Sequence, residues 1–162
     1  ITKSLRTGLR LGYLAMPKRL ALRTPSILRV NSSLATPLVS EIAARWIRDG
    51  RADTLVQLQR KLLGERQAMV REYLDDYLLG HHPQALSAWL GIPPHWEVDN
   101  LVRALRRRHI AVTSPEPFLV RGTPRPRAVR LCVGAECSDK EMRRALIGMR
   151  ELFGQYPQIH DF

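Results

Sequence analysis

The sequence predicts an α/β chain whose first half is built mainly from two long helices and whose second half is a small α+β layer. Three observations predict it. Apolar residues recur at three- and four-residue steps from Thr36 to Gly50 and again from Asp53 to Leu79, the spacing of one helix face. After His81-His82-Pro83, short apolar runs and helical patterns follow in the order strand, helix, strand, strand, helix. Finally, 162 residues of which 44% are apolar suffice for a compact core.

Each element has its own signal. Leu9 to Met16, with Leu9, Leu11, Tyr13 and Leu14 around Gly12, reads as a buried strand that stops at Pro17. Lys18 to Ile27 is poorly patterned, a short helix ended by Thr24-Pro25. Thr36-Pro37 pairs an N-cap residue with proline at the first helical position, and Gly50 supplies the stop. Between them run two rows, Leu38, Ile42, Trp46 and Val39, Ala43, Ile47. Asp53 then caps a longer helix reaching about Leu79, with Leu55, Leu58, Leu62, Met69, Tyr73 and Tyr77 on one side. Gly64 interrupts that helix and Gly80 ends it.

In the second half, Ala85 to Ile92 is a strand terminated by Pro93-Pro94. Val98 to Arg108 is a helix with Leu101, Val102 and Leu105 inward, and Ile110 to Thr113 is a short β-branched run. Ser114 to Pro126 is a Pro-, Gly- and Arg-rich loop in which Phe118-Leu119-Val120 makes a short strand. Ala128 to Val133 is a strand, and Asp139 to Phe153 closes the chain as a helix with Met142, Leu146, Met149 and Phe153 on its inner stripe.

Composition bounds the function. A net charge of +11 would ordinarily point to nucleic acid or an anionic surface. The excess is almost all arginine, 22 against 4 lysines, and it is spread along the whole chain. The densest run, Arg106-Arg107-Arg108-His109, closes a helix, where cations meet the negative end of the macrodipole. It reads as a solvated helix end, with a phosphate contact as the alternative. Cys132 and Cys137 stand without a second pair or a histidine cluster, so they are expected as reduced thiols in a cytoplasmic protein, with no metal. No apolar run spans a bilayer and no signal peptide opens the chain. The start at Ile1-Thr2-Lys3, without Met, is expected of a fragment.

The opening segment, Ile1-Thr2-Lys3-Ser4-Leu5-Arg6-Thr7-Gly8-Leu9-Arg10-Leu11-Gly12-Tyr13, resembles the cofactor-lysine motif of fold type I aminotransferases. The resemblance makes Lys3 the lysine that links to pyridoxal 5'-phosphate and Arg10 the arginine that contacts its phosphate. The residue types suit those roles. A lysine amine of lowered pKa attacks an aldehyde, and an arginine fork suits a phosphate dianion. Thr7 stands where the family usually has proline.

A second stretch, Arg127-Ala128-Val129-Arg130-Leu131-Cys132-Val133-Gly134-Ala135, resembles the strand that carries the substrate-carboxylate arginine, and Arg130 takes that position. An arginine on an otherwise apolar strand is costly unless it meets an anion. Alternation puts Val129, Leu131 and Val133 on one face and Arg130 and Cys132 on the other, which leaves an outward-facing surface arginine as the alternative.

Between these motifs, Leu34 to Leu38, Glu41 to Gly50, Gln59, Arg66-Gln67 and Trp89-Leu90-Gly91-Ile92-Pro93 are similar to MocR-type regulators, in which a GntR-like winged helix precedes an aminotransferase-like domain. The resemblance implies a C-terminal fragment of the pyridoxal-phosphate-dependent transferase fold type I. It divides the chain into residues 1–50, a piece of the large cofactor lobe; 51–80, a connecting helix; and 81–162, the small α+β lobe. It implies an amino acid or amine ligand, a homodimer, and DNA contacted through a winged helix not present in this chain. An aminotransferase acting on an amino acid and a 2-oxo acid is the enzyme alternative. A non-catalytic binding module or truncated product is the third.

Overall fold

A computed structural model of the chain describes residues 11–13, 15–21, 24 and 36–157. The chain divides into two compact units, Ile1–Arg60 and Lys61–Phe162.

In the first unit, helix α1 (Lys18–Ala21) is a single turn, and the Thr24 hydroxyl donates to the Leu20 carbonyl at 2.8 Å. Among the described residues of the stretch Leu9 to Met16 no strand is formed: Leu11, Gly12, Tyr13, Ala15 and Met16 are irregular. A strand exists only with a hydrogen-bonded partner, and the apolar run alone cannot supply one. Helix α2 (Pro37–Arg48) forms where the pattern placed it, with Pro37 opening it, although the Thr36 side chain makes no capping hydrogen bond. Ala43 is its buried residue, while Leu38 and Ile47 are exposed. Gly50 stops it in the left-handed region, at φ +77°, where a side chain would be strained.

Helix α3 (Arg51–Leu74) begins two residues before the expected cap. The Asp49 carboxylate takes over that duty, accepting from the Arg51 N–H at 3.1 Å, and Asp53 lies inside the first turn, where a negative charge is favoured. Gly64 sits inside the helix without breaking it. In the second unit the buried residues of α3 are Leu63, Arg66, Gln67, Met69, Val70 and Leu74, whereas Leu62 is exposed. The buried side is therefore rotated from the apolar row, sharing Met69 with it while Tyr73 and Tyr77 pack at the core's edge. Two of its positions are polar, so a hydrophobic count misplaces it. The helix gives way at Leu74 to a 3-10 turn, Asp75–Tyr77, short of Leu79. Leu78 and Leu79 leave it because sheet hydrogen bonds compete: Leu78 bridges Leu90, and the Leu79 N–H donates to the Trp89 carbonyl at 3.0 Å.

Strands β1 (Ser87–Gly91) and β2 (Ala128–Cys132) form a two-stranded antiparallel ribbon. Its register sets Trp89 opposite Arg130 and Leu90 opposite Val129. The run Ile110 to Thr113 contributes only one bridge, Thr113 to Arg130, with N–H···O distances of 2.9 and 2.7 Å. Phe118-Leu119-Val120 is no strand; Glu116–Phe118 is a 3-10 turn followed by irregular chain. The Phe118 and Leu119 N–H groups are spent within that turn, on the Pro115 and Glu116 carbonyls at 2.9 and 3.2 Å, and are not free for a ladder.

Helices α4 (Val98–Arg107) and α5 (Asp139–Phe153) complete the core. Alternation puts Ala88, Leu90, Val129, Leu131 and Val133 into it, with Leu101 and Leu105 of α4 and Met142, Leu146, Met149 and Phe153 of α5. Ser138 and Glu141 form a reciprocal capping box that starts α5. The Arg-rich end of α4 is closed by His109, at φ 60°, the left-handed position usually given to glycine. There the His109 and Ile110 N–H groups reach the Arg106 and Leu105 carbonyls, both at 2.9 Å. Trp96, fully buried, donates its indole N–H to the carbonyls of Leu152 and Gln155 at 3.1 and 2.9 Å. Among the described residues no helix is long and apolar enough to cross a membrane.

Candidate functional site

The pleat that buries Leu90 and Val129 turns Ser87, Trp89, Arg130 and Cys132 to the other face of the ribbon. Arg130 is half-buried there. Its guanidinium lies over the Phe118 ring, 5.4 Å from the centroid. Trp89 meets the same ring edge-on, with centroids 5.3 Å apart and planes at 83°. Arg130, Trp89 and Phe118 thus form one cluster, drawn from β2, β1 and the loop between them.

Several other arginines of this unit, unlike Arg130, pair with carboxylates. Arg66, nearly fully buried, donates to the carbonyls of Val133 and Ala135 at 3.2 and 2.6 Å and to that of Cys137, and pairs with Asp139 at 3.3 Å. Its neighbour Gln67 donates to the Ala85 carbonyl at 2.8 Å, so α3 ties down the start of one strand and the end of the other. Arg127 pairs with Glu97 and donates to the Trp96 carbonyl at 2.5 Å. Arg125 holds the Asp99 carboxylate through both oxygens, at 3.2 and 2.6 Å, and also meets Glu116. Arg143 reaches Glu72 and Tyr73. Among the described residues, Arg130 has no carboxylate partner.

The loop that carries Phe118 is held by charge. The Arg125 guanidinium pulls the Asp99 carboxyl below its ordinary range, and the Ser114 hydroxyl, with the Glu116 backbone and Arg125 behind it, does the same for Glu116. Arg125 and Arg127 therefore go to carboxylates and carbonyls of the chain itself, which absorbs part of the net positive charge.

A cleft of about 560 Å³ opens on the same face as Arg130, walled by Trp89, Phe118, Leu119, Pro115 and Ala128, with His81 and His82 at its edge. A second hollow, of about 660 Å³, is bordered by Ile110, Leu131 and α5 and holds the free thiols of Cys132 and Cys137. Among the described residues no three potential metal ligands gather anywhere.

Of the residues singled out from the sequence, Arg130 stands at the centre of this cluster, whereas Lys3 and Arg10 lie outside the described residues. The sequence reading missed Trp89 and Phe118 as partners of Arg130. The alternation of β1 carried a signal for Trp89, whose neighbours Ala88 and Leu90 belong to the buried face. For Phe118 there was none, because only the fold brings the loop onto the ribbon.

The family profile described as aminotransferase class I and II matches residues 5–147. An uncharacterized HTH-type transcriptional regulator, YdeF, of Bacillus subtilis (strain 168) is 27% identical over 152 residues, covering 94% of this chain and 33% of that protein. An archaeal alanine:glyoxylate aminotransferase superposes with a TM-score of 0.74 at 17% identity, over 94% of this chain and 38% of that one. An aromatic aminotransferase from Pyrococcus horikoshii OT3 does so with a TM-score of 0.72 at 21% identity, over 90% and 39%. The chain spans about a third of the length of the curated relative that it matches. At these identities the likeness to the solved structures is one of fold, and the fold is of the class expected from the sequence.

Proposed function

This chain belongs to the class I and II aminotransferase family, and on that premise we propose that it is part of the pyridoxal-phosphate-binding effector domain of a GntR/MocR-type transcription regulator. The observation that carries the reading is Arg130: a half-buried guanidinium on an apolar strand, seated over an aromatic ring, with no carboxylate of the described chain to neutralise it. Such a group awaits an anion, and its planar fork matches a carboxylate. Similarity to an HTH-type regulator along 94% of the chain supports regulation as the setting.

Lys3 and Arg10 are assigned to hold the cofactor, as an amine that can attack its aldehyde and a guanidinium that can carry its phosphate. This donor set fits the group. When bound, pyridoxal phosphate supplies an aldehyde and an electron-withdrawing ring. Arg130 fixes the ligand's carboxylate and so orients its amino group. In the regulator, the full-length protein is a homodimer that contacts DNA through a winged helix outside this chain. The ligand shifts operator binding only insofar as it favours one protein arrangement over another.

The retention of Lys3, Arg10 and Arg130 together also supports an aminotransferase. There the Lys3 Nζ moves a proton to and from the substrate Cα. The test is operator binding by the full-length protein loaded with cofactor, with and without amino acids. A ligand-dependent shift that disappears in Arg130→Gln, with unliganded DNA affinity retained, is the expected result. Identical operator binding under all conditions overturns the regulator. Steady transamination by a full-length protein without any DNA-binding domain replaces it with the enzyme.

A further inference from the structure

Resting on the carboxylate role of Arg130, we propose that the ligand of this site carries a large, flat apolar side chain, aromatic or of similar size, seated against Trp89 and Phe118. Strand parity supplies the first support. Ser87 and Trp89 of β1 and Ala128 and Arg130 of β2 share one face, and the apolar cleft of about 560 Å³ opens on that face. An anion held by Arg130 therefore sits beside the cleft's aromatic wall, because Trp89 is directly across the ribbon from Arg130 and Phe118 lies beneath its guanidinium.

Charge supplies the second. Among the described residues no acidic side chain lines the cleft, and its titratable members are His81 and His82. A ligand with a cationic side chain would find no counter-ion there. A ligand with a small side chain would leave the wall wet: Phe118 is 48% exposed and Leu119 38%, apolar surface that a flat group would cover.

The third support is that the wall is held in place. The Phe118 N–H closes its turn on the Pro115 carbonyl at 2.9 Å, Arg125 straps Glu116 to Asp99 on α4, and the Trp89 edge fixes the ring. A pre-formed aromatic wall beside a cation that has no carboxylate partner among the described residues recognises an apolar carboxylate without having to be ordered first.

The test uses the full-length protein without cofactor and three probes: 3-phenylpropionate, propionate and 2-phenylethylamine. Binding is read by calorimetry and by tryptophan fluorescence. The expected result is that 3-phenylpropionate binds about tenfold or more tightly than propionate, the gain from burying a ring, and that 2-phenylethylamine does not bind. Trp89→Ala should bring 3-phenylpropionate down to the propionate level while leaving propionate unchanged. Leu119→Asp, on the exposed wall, should do the same and guards against a Trp89 variant that fails to fold. Equal affinity for the two carboxylates overturns the apolar-side-chain proposal and leaves the carboxylate role of Arg130 standing. Binding of 3-phenylpropionate that survives Arg130→Gln overturns the carboxylate reading itself. Failure of both acids to bind, as when another segment of the full-length protein fills the cleft, overturns the proposal.

Discussion

On one face of the β1–β2 ribbon, Ala88, Leu90, Val129 and Leu131 are buried beneath helices; on the other, Ser87, Trp89, Arg130 and Cys132 keep access to solvent. The strands are the same and the residues alternate, yet the two faces have different physical tasks. The closed face gains free energy from every apolar group it hides. The open face spends some, since it half-buries a guanidinium without an anion and leaves aromatic surface partly wet. On the proposed reading, the reason for keeping such an arrangement beside a well-made core is the ligand held there. Stability and recognition are thus separated by a single-residue alternation.

The largest expected effect tests the closed face. Leu90→Ala, at a fully buried position, should cost about 2–5 kcal/mol in urea unfolding, and Trp89→Ala, one residue along on the open face, less than half of that. Equal costs would mean that both faces are core. Next come the two contrasting arginines. Arg66→Met strips the donor from three carbonyls at the end of β2 and should cost about 2–4 kcal/mol by the same measurement. Arg130→Gln should change stability by no more than about 0.5 kcal/mol, because no anion of the described chain depends on it. A loss for Arg130→Gln as large as that for Arg66→Met would make Arg130 a structural residue.

A smaller effect is expected where α4 feeds Ile110 into the core. His109→Gly relieves a left-handed backbone and should raise the melting temperature, by about 0.5–1 kcal/mol of stability after the greater freedom of glycine in the unfolded chain is set against it; His109→Val should lower it. The smallest concerns the open face. Asp99 and Glu116 have lowered pKa values in the folded protein. Their contribution is present at neutral pH and lost as pH falls below about 4 through those lowered values. Asp99→Asn should accordingly flatten the fall in melting temperature below about pH 4. Both carboxylates are exposed, so the change will be slight. An unaltered slope would mean that the clamp does not hold the loop.

Much of this was legible from residues alone. Helix α5 runs from Asp139 to Phe153 as its apolar stripe requires, and β1 and β2 follow their alternation. The same alternation placed Arg130 opposite to Val129 and Leu131. The failures have a common physical cause. Arg66 and Gln67 are core residues only because carbonyls of residues 85, 133, 135 and 137 surround them, and a polar side chain gives no local sign of such partners. Leu78 and Leu79 follow a helical pattern but gain sheet hydrogen bonds by leaving it. Ile110 to Thr113 has strand composition and room for a single bridge.

What the sequence by itself determined is therefore what local period and local chemistry carry: the main helices, the two strands, the mixed class, and the face of its strand on which Arg130 stands. The tertiary structure decided which surfaces meet. It spent Arg125 and Arg127 on internal carboxylates and carbonyls, buried Arg66, and laid Phe118 under Arg130 beside Trp89. Those outcomes depend on groups far apart along the chain, and no short-range pattern encodes the distance between them.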